Sequence, residues 1–238
     1  MDDLRNLTFV VEGEEIKVNK TLMDASCPYF NTMLFGNTNE SKLSTIELKS
    51  TPKVALKSII EFVYKEQCDI SSLEENELFD LISISPEYQF TQLIDHLFEK
   101  VKLQNFSVDF CVALFDLSVD TQMNEWREMC LEYFDDIFHN DVDAEIFTKL
   151  SKSLIMQLTA RDSFLIDELD LFKCLIKWKE QNAQEDCGEI FANIRLHLID
   201  IEDFVEFVMP TKVISSDDYL KSIASKSDSK RFAVFKSL

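Results

Sequence analysis

Three histidines, six cysteines and a few adjacent carboxylates are the side chains of this sequence best suited to chemistry, and none is spaced for it. His96, His139 and His197 lie far apart. His96 follows Asp95 directly, but neighbours on a helix diverge by about 100°, so the two do not make the acid–base couple of a triad. His139, in "FHND", falls at a predicted helix C-terminus, where an imidazolium suits the dipole. His197, in "RLHLID", has no evident partner. Asp135–Asp136, Glu202–Asp203 and Asp217–Asp218 would have to converge on a divalent ion, which successive helical positions do not do. Cys27, Cys68, Cys111, Cys130, Cys174 and Cys187 are scattered without a CxxC and read as reduced, mostly buried thiols. Only three glycines occur, too few for a phosphate cradle. Nucleotide-loop, zinc-protease, serine-hydrolase and calcium-loop motifs are missing. The expectation is a chain without metal or cofactor, and not an enzyme.

The stretch "RDSFLIDELDLFKCLIKW", Arg161 to Trp178, tests that expectation, because it holds a serine between an arginine–aspartate pair and an acidic run. A nucleophilic Ser163 would need a general base, and none is near in sequence. Asp167 instead suits a helix N-cap, with Glu168 and Asp170 in the first turn to complement the macrodipole. Leu169/Phe172/Ile176 and Leu171/Cys174/Leu175/Trp178 then form two adjacent apolar stripes, the mark of a central helix. Arg161-Asp162-Ser163 reads as the turn entering it, with side chains satisfying backbone groups. The stretch is scaffold.

The elements around these residues change character along the chain. With 46% hydrophobic and 29% charged residues the chain is globular, and its few glycines and four prolines favour helix. "LTFVVEGEEIKV" predicts a hairpin turning at Glu12-Gly13. "KTLMDAS" predicts a helix, and Pro28 restarts one in which Tyr29, Phe30, Met33 and Leu34 share a stripe and Gly36 takes the C′ position. "STIELKS" predicts a third strand with Ile46 and Leu48 on one face. Thr51 as cap and Pro52 as first residue open a helix carrying Leu56, Ile59, Ile60 and Val63. Ser72 to Glu75 has capping-box spacing before the next, and Ile94, Leu97, Phe98 and Val101 mark another. From Asn105 onward only helical patterns follow.

This change of period predicts an α+β first domain over 5–103, an all-helical second over 104–222 and a basic tail over 223–238. Residues 221–238 hold five Lys/Arg and one Asp against a whole-chain net charge of −20. Such a balance repels phosphate backbones and anionic lipid, so neither nucleic acid nor membrane is an expected partner. No apolar run approaches the ~18 residues of a membrane span. The expected compartment is the cytoplasm, with the nucleus as the alternative.

"LTFVVEGEEIKVNKTLMDASCPYFNTMLFG" and "IIEFVY" resemble the BTB/POZ domain, a short three-stranded sheet with surrounding helices. "LIMQLTARDSFLIDELDLFKCLIKW" is similar to the all-helical BACK domain that follows BTB in many adaptors. "RDSF", "AEIFTKLS" and "IRLHLIDIEDFVEFVMPTKVISSDDYLKSI" resemble the BACK region of a subfamily that carries discoidin-like domains further on. The resemblance implies a homodimer built through BTB helices, with Leu22 and Met23 as interface candidates. It also implies an adaptor that bridges an unknown protein substrate to a cullin-type ubiquitin ligase. Cullin-binding relatives carry a hydrophobic-x-Glu motif after the second helix. Here it reads Thr38-Asn39-Glu40, with the glutamate kept and a threonine at the apolar plug. Tyr88 matches a cullin-contacting tyrosine of some relatives. Asn6 and Asn19-Lys20 replace an aspartate and a His-Arg, which bears on dimer geometry. Neither kelch repeats nor discoidin-like domains follow in this sequence, so the substrate would meet BTB–BACK itself or the tail "RFAVFKSL", or the chain is a fragment. A dimerisation scaffold that does not bind cullin is the alternative.

Overall fold

The computed structural model describes residues 5–139 and 142–225. The chain divides into two compact units between Phe106 and Ser107. In the first, β1 (Leu7–Val11) alternates as the sequence implies, with Leu7, Phe9 and Val11 buried. Glu12 and Gly13 both have positive φ, 48° and 79°, as a tight hairpin turn with the native twist requires. The chain returns as β2 (Glu14–Val18), antiparallel, with Phe9 opposite Ile16. β3 (Thr45–Glu47) pairs in parallel with the other side of β1, with Phe9 opposite Ile46. The mixed sheet has the order β2-β1-β3, so β2 is an edge strand.

Between hairpin and β3 run α1 (Lys20–Ser26) and α2 (Pro28–Phe35). The two asparagines that depart from the family pattern both serve the start of α1. Asn19 Oδ1 accepts from Leu22 N at 3.0 Å, and Asn6 Oδ1 accepts from Lys20 N at 2.9 Å. Gly36 ends α2, but not in the left-handed geometry expected of it. Its φ is −71°, and glycine is required because a Cβ would run into the carbonyl oxygen of Thr32.

α3 (Lys53–Lys65) corrects a second expectation. Pro52 stands at the N-cap position rather than inside the helix, and Thr51 does not cap. The first free amide, Lys53 N, is taken by Glu12 Oε1 at 3.1 Å, a carboxylate from the hairpin turn suited to the positive end of the helix. α4 (Glu75–Glu87) has its capping box at Glu74 and Glu77, not at Ser72 and Glu75. In α5 (Thr91–Lys100) the buried residues are Leu93 and Leu97, so Ile94 and Phe98 flank the stripe rather than form it.

The second unit contains no strand among its described residues. Its elements are α6 (Val108–Asp120), α7 (Asn124–Phe138), α8 (Ala144–Thr148), α9 (Lys152–Ala160), α10 (Glu168–Gln181), α11 (Gly188–Ala192), α12 (Ile201–Asp203) and α13 (Ser216–Ala224). α12 runs on into a π turn over Phe204–Val208. His139 occupies the C-cap of α7. Asp167 caps α10 through Leu169 N and Asp170 N. Leu171, Cys174, Leu175 and Trp178 are buried, and Trp178 Nε1 donates to Leu150 O at 2.8 Å. The turn before α10 differs from expectation, because its side chains bind other side chains. Arg161 reaches Glu128 at 2.7 Å and Asp135 at 3.2 Å, Ser163 donates to Asp135 at 2.6 Å, and Asp162 meets Arg195 at 3.1 Å. Glu168 is not a surface charge either. It is buried and accepts from Arg195 N at 3.1 Å. All six cysteines are buried, and none is in a disulfide. The tail from residue 226 onward, "RFAVFKSL" included, lies outside the described residues.

Candidate functional site

A groove of about 360 Å³ opens on the first unit between α2, the loop after it and the end of α4. Tyr29 and Met33 come from α2, Thr38 and Glu40 from the loop, and Glu87 and Gln89 from the end of α4. α2 supplies its residues because Phe30 and Leu34 are driven into the core, which turns Tyr29 and Met33 to the half-buried flank. The wall behind Tyr29 is aromatic. Tyr29 stacks flat on Tyr88, with ring centroids 4.0 Å apart and planes within 7°. Phe30 meets Tyr88 edge-on and tilts against Phe9 of the sheet.

Tyr88 itself is 3% exposed and does not line the groove. Its hydroxyl shares a 2.6 Å hydrogen bond with Thr51 Oγ1, which explains why Thr51 is unavailable as a cap. Burial pushes the Tyr88 phenol far above the ordinary tyrosine range, against the smaller opposing pull of the Thr51 bond. Burial raises the Tyr29 phenol as well. Both rings therefore stay neutral at any physiological pH. Gln89, on the rim, holds a left-handed backbone with φ 54°, a costly conformation for a non-glycine residue.

The loop is closed by its own threonine. Thr38 Oγ1 donates to Met33 O at 2.8 Å and accepts from Ser41 N at 3.2 Å, while Ser41 Oγ donates to Thr38 O at 2.8 Å. The position read as an apolar plug thus spends its hydroxyl on local closure. Lys20 ties the loop to α1, with Nζ donating to Ser41 O at 2.9 Å and lying 5.0 Å from the Phe35 ring centroid. Asn39 is exposed, with no side-chain capping bond, and Glu40 is exposed at the start of a short 3-10 turn over Glu40–Lys42.

Of the four cullin-facing candidates, Thr38 and Glu40 line the groove, Asn39 projects beside it, and Tyr88 lies behind Tyr29. Leu22 is 43% exposed on α1, whereas Met23 is fully buried within its own chain. Only Leu22 of the two can meet a second copy directly. Helical spacing alone makes Tyr29 one member of a core stripe. The signal for its second role was its hydroxyl, which a fully buried ring would have to satisfy. No cluster of three or more His, Cys, Asp or Glu capable of holding a metal occurs among the described residues. No helix among them is long and apolar enough to cross a membrane.

Two family models match the chain, the BTB/POZ domain over residues 2–105 and BACK, "BTB And C-terminal Kelch", over residues 111–209. BTB/POZ domain-containing protein 9 of Homo sapiens is 28% identical over 235 residues, which cover 96% of this chain and 37% of the relative. The Drosophila melanogaster protein of the same name is 26% identical, over 94% of this chain and 31% of its own length. Kelch-like protein 9 of Mus musculus is 27% identical, over 87% and 34%. The chain thus spans well under half the length of the curated relatives it matches. Among solved structures, the BTB domain of human Gigaxonin aligns with 41% of this chain and 78% of its own, at 24% identity and a TM-score of 0.35. Matched in order along most of its length, the chain thus carries a BTB/POZ domain followed by a BACK domain.

Proposed function

We propose that this protein is a homodimeric cytoplasmic adaptor that bridges a protein substrate to a cullin-type ubiquitin ligase, with the Tyr29–Thr38–Glu40 groove as its cullin-facing surface. An adaptor does no bond chemistry. It raises the effective concentration of substrate beside the ligase, and a dimer adds avidity. The observation that carries the reading is that Thr38 and Glu40 line one groove with Tyr29, an aromatic wall backed by the Tyr88 stack. A concave, largely apolar surface with two exposed carboxylates, Glu40 and Glu87, suits a helix that offers an apolar face and cations. Six cysteines without a disulfide accord with a reducing compartment.

A second reading, a dimerisation scaffold that does not engage cullin, draws on Thr38. Its hydroxyl is committed to Met33 O and Ser41 N, so it offers a partner little aliphatic surface. Losing a buried aliphatic anchor costs about 1–3 kcal/mol, or roughly 5- to 150-fold in affinity.

Sedimentation of the chain alone and with the N-terminal domain of the third cullin, beside Thr38→Leu and Glu40→Lys variants, separates the two. The adaptor reading expects a dimer that binds cullin and loses it on Glu40→Lys. Binding by Thr38→Leu alone favours the scaffold. A dimer that binds in no form removes the cullin surface.

A further inference from the structure

A second groove, of about 390 Å³, shares no residue with the first and has the opposite electrical character from the protein around it. Its floor is apolar, formed by Ile16 of β2 with Ile60 and Tyr64 of α3. Its rim carries four cations, Arg5, Lys17, Lys57 and Lys65, against one carboxylate, Glu61. Across the whole chain the balance is 24 basic to 44 acidic residues, so the lining of this groove has the sign opposite to that of the chain as a whole. Two of the cations are spoken for. Lys57 pairs with Glu14 and Lys65 with Glu61, each at 2.7 Å. Arg5 and Lys17 have no ion pair among the described residues.

The groove also meets backbone. Successive strand residues point to opposite faces, so a groove lined by both Ile16 and Lys17 follows the edge of β2 rather than one face. β2 is the outer strand of the sheet, and an outer strand presents unpaired N–H and C=O groups. Tyr64, 41% exposed, is part of this floor, and its hydroxyl accepts from Asn19 N at 2.8 Å. The edge around Ile16 and Lys17 is thus flanked by an apolar floor and rimmed by cations, while Glu14 and Glu15 occupy the far end of the strand.

From these features we infer that the β2 edge docks an extended acidic peptide segment of a partner protein, one that alternates carboxylates with apolar side chains. Main-chain bonds to β2 supply register, alternate apolar side chains meet Ile16, Ile60 and Tyr64, and the intervening carboxylates meet Arg5 and Lys17. A nucleic acid also carries negative charge, but a body of net charge −20 repels a long polyanion, and the floor here is greasy rather than polar. A short acidic segment with apolar anchors satisfies both the rim and the floor.

The test uses the full chain and a fluorescein-labelled decapeptide alternating Glu with Val and Phe, read by anisotropy and by hydrogen–deuterium exchange. The acidic peptide should bind, a Lys-for-Glu analogue should not, and affinity should fall as salt is raised. Binding should slow amide exchange in β2, and Lys17→Glu should weaken it at least tenfold. Ile16→Asn, which keeps the rim charges, should weaken it too, and both variants should keep the parent circular dichroism spectrum. Equal affinity for acidic and basic peptides, no binding up to millimolar peptide, unchanged affinity in Lys17→Glu, or preference for a single-stranded oligonucleotide would each overturn the inference. Loss of peptide binding in Glu40→Lys with retention in Lys17→Glu would move the site to the first groove and overturn it as well.

Discussion

Tyr29 and Tyr88 lie ring on ring, 4.0 Å between centroids, with one face of the pair turned to the groove and the other hydroxyl sealed against Thr51 at 2.6 Å. Sixty residues of chain are thereby fastened across the back of the candidate site. The buried Thr51–Tyr88 bond should be measurable by a double-mutant cycle. Tyr88→Phe and Thr51→Val each strand one buried hydroxyl and should each cost about 1–3 kcal/mol. The double variant should cost less than their sum, because neither hydroxyl is then left unpaired. Urea denaturation midpoints of the four proteins check this, and simple additivity would mean the two groups do not interact.

The cysteines should be inert in the folded protein. Burial pushes the Cys68 and Cys174 thiols up to about 11 and drives Cys130 higher still. The thiolate is the reacting form, so at pH 8 these three should resist iodoacetamide for hours in buffer and react within minutes in urea. Mass spectrometry counts the adducts, and rapid native labelling at Cys130 would contradict its burial.

Much of the fold was legible because it rests on period and turn chemistry. The β1 alternation, the Glu12-Gly13 turn and the broad apolar face of α10 all follow from local residue order. What was not legible depends on partners distant in sequence. Thr51 looks like a cap until Tyr88, 37 positions on, takes its hydroxyl. Lys53 N is capped by Glu12, 41 positions earlier. Glu168 suits a helix start by type, yet it is buried because Arg195 N needs an acceptor. The groove was legible only through family resemblance at Thr38 and Glu40. Helical spacing puts Tyr29 on the core stripe and cannot say that one flank of its ring stays open.

Acid should loosen the second unit at a definite place. The hydrogen bond from Arg161 holds the Glu128 carboxyl below its ordinary value of 4.5. A carboxylate with a lowered folded pKa stabilises above its unfolded pKa, and that contribution disappears as pH falls through the folded value. The urea midpoint should therefore drop on acidification below about pH 4.5, and by less in Arg161→Met, which has no such bond to lose. Identical pH profiles for the two proteins would show that the pair contributes nothing.

Trp178 anchors α10 by both packing and a hydrogen bond to Leu150 O. Trp178→Ala should cost about 3–5 kcal/mol, as other large-to-small core truncations do. Trp178→Phe keeps most of the apolar volume but leaves the Leu150 carbonyl unpaired, so it should cost about 1–3 kcal/mol. Equal midpoints for the Ala and Phe variants would mean that packing around the ring is slight.

Leu22 and Met23 are neighbours on α1 with opposite surroundings, and that difference separates assembly from folding. Leu22 is 43% exposed and Met23 wholly buried. Adjacent helical residues diverge by about 100°, so one flank of α1 can serve a second copy while the other serves the core. On the proposed homodimer, Leu22→Asp should shift the sedimenting species toward monomer with the circular dichroism spectrum and urea midpoint little changed, since an exposed position tolerates charge. Met23→Asp places an unpaired carboxylate in the core and should unfold the first unit or lower its midpoint by several kcal/mol. If Leu22→Asp remains a full dimer, α1 is not the dimer contact, and the exposed Phe35 and Leu43 become the next positions to substitute.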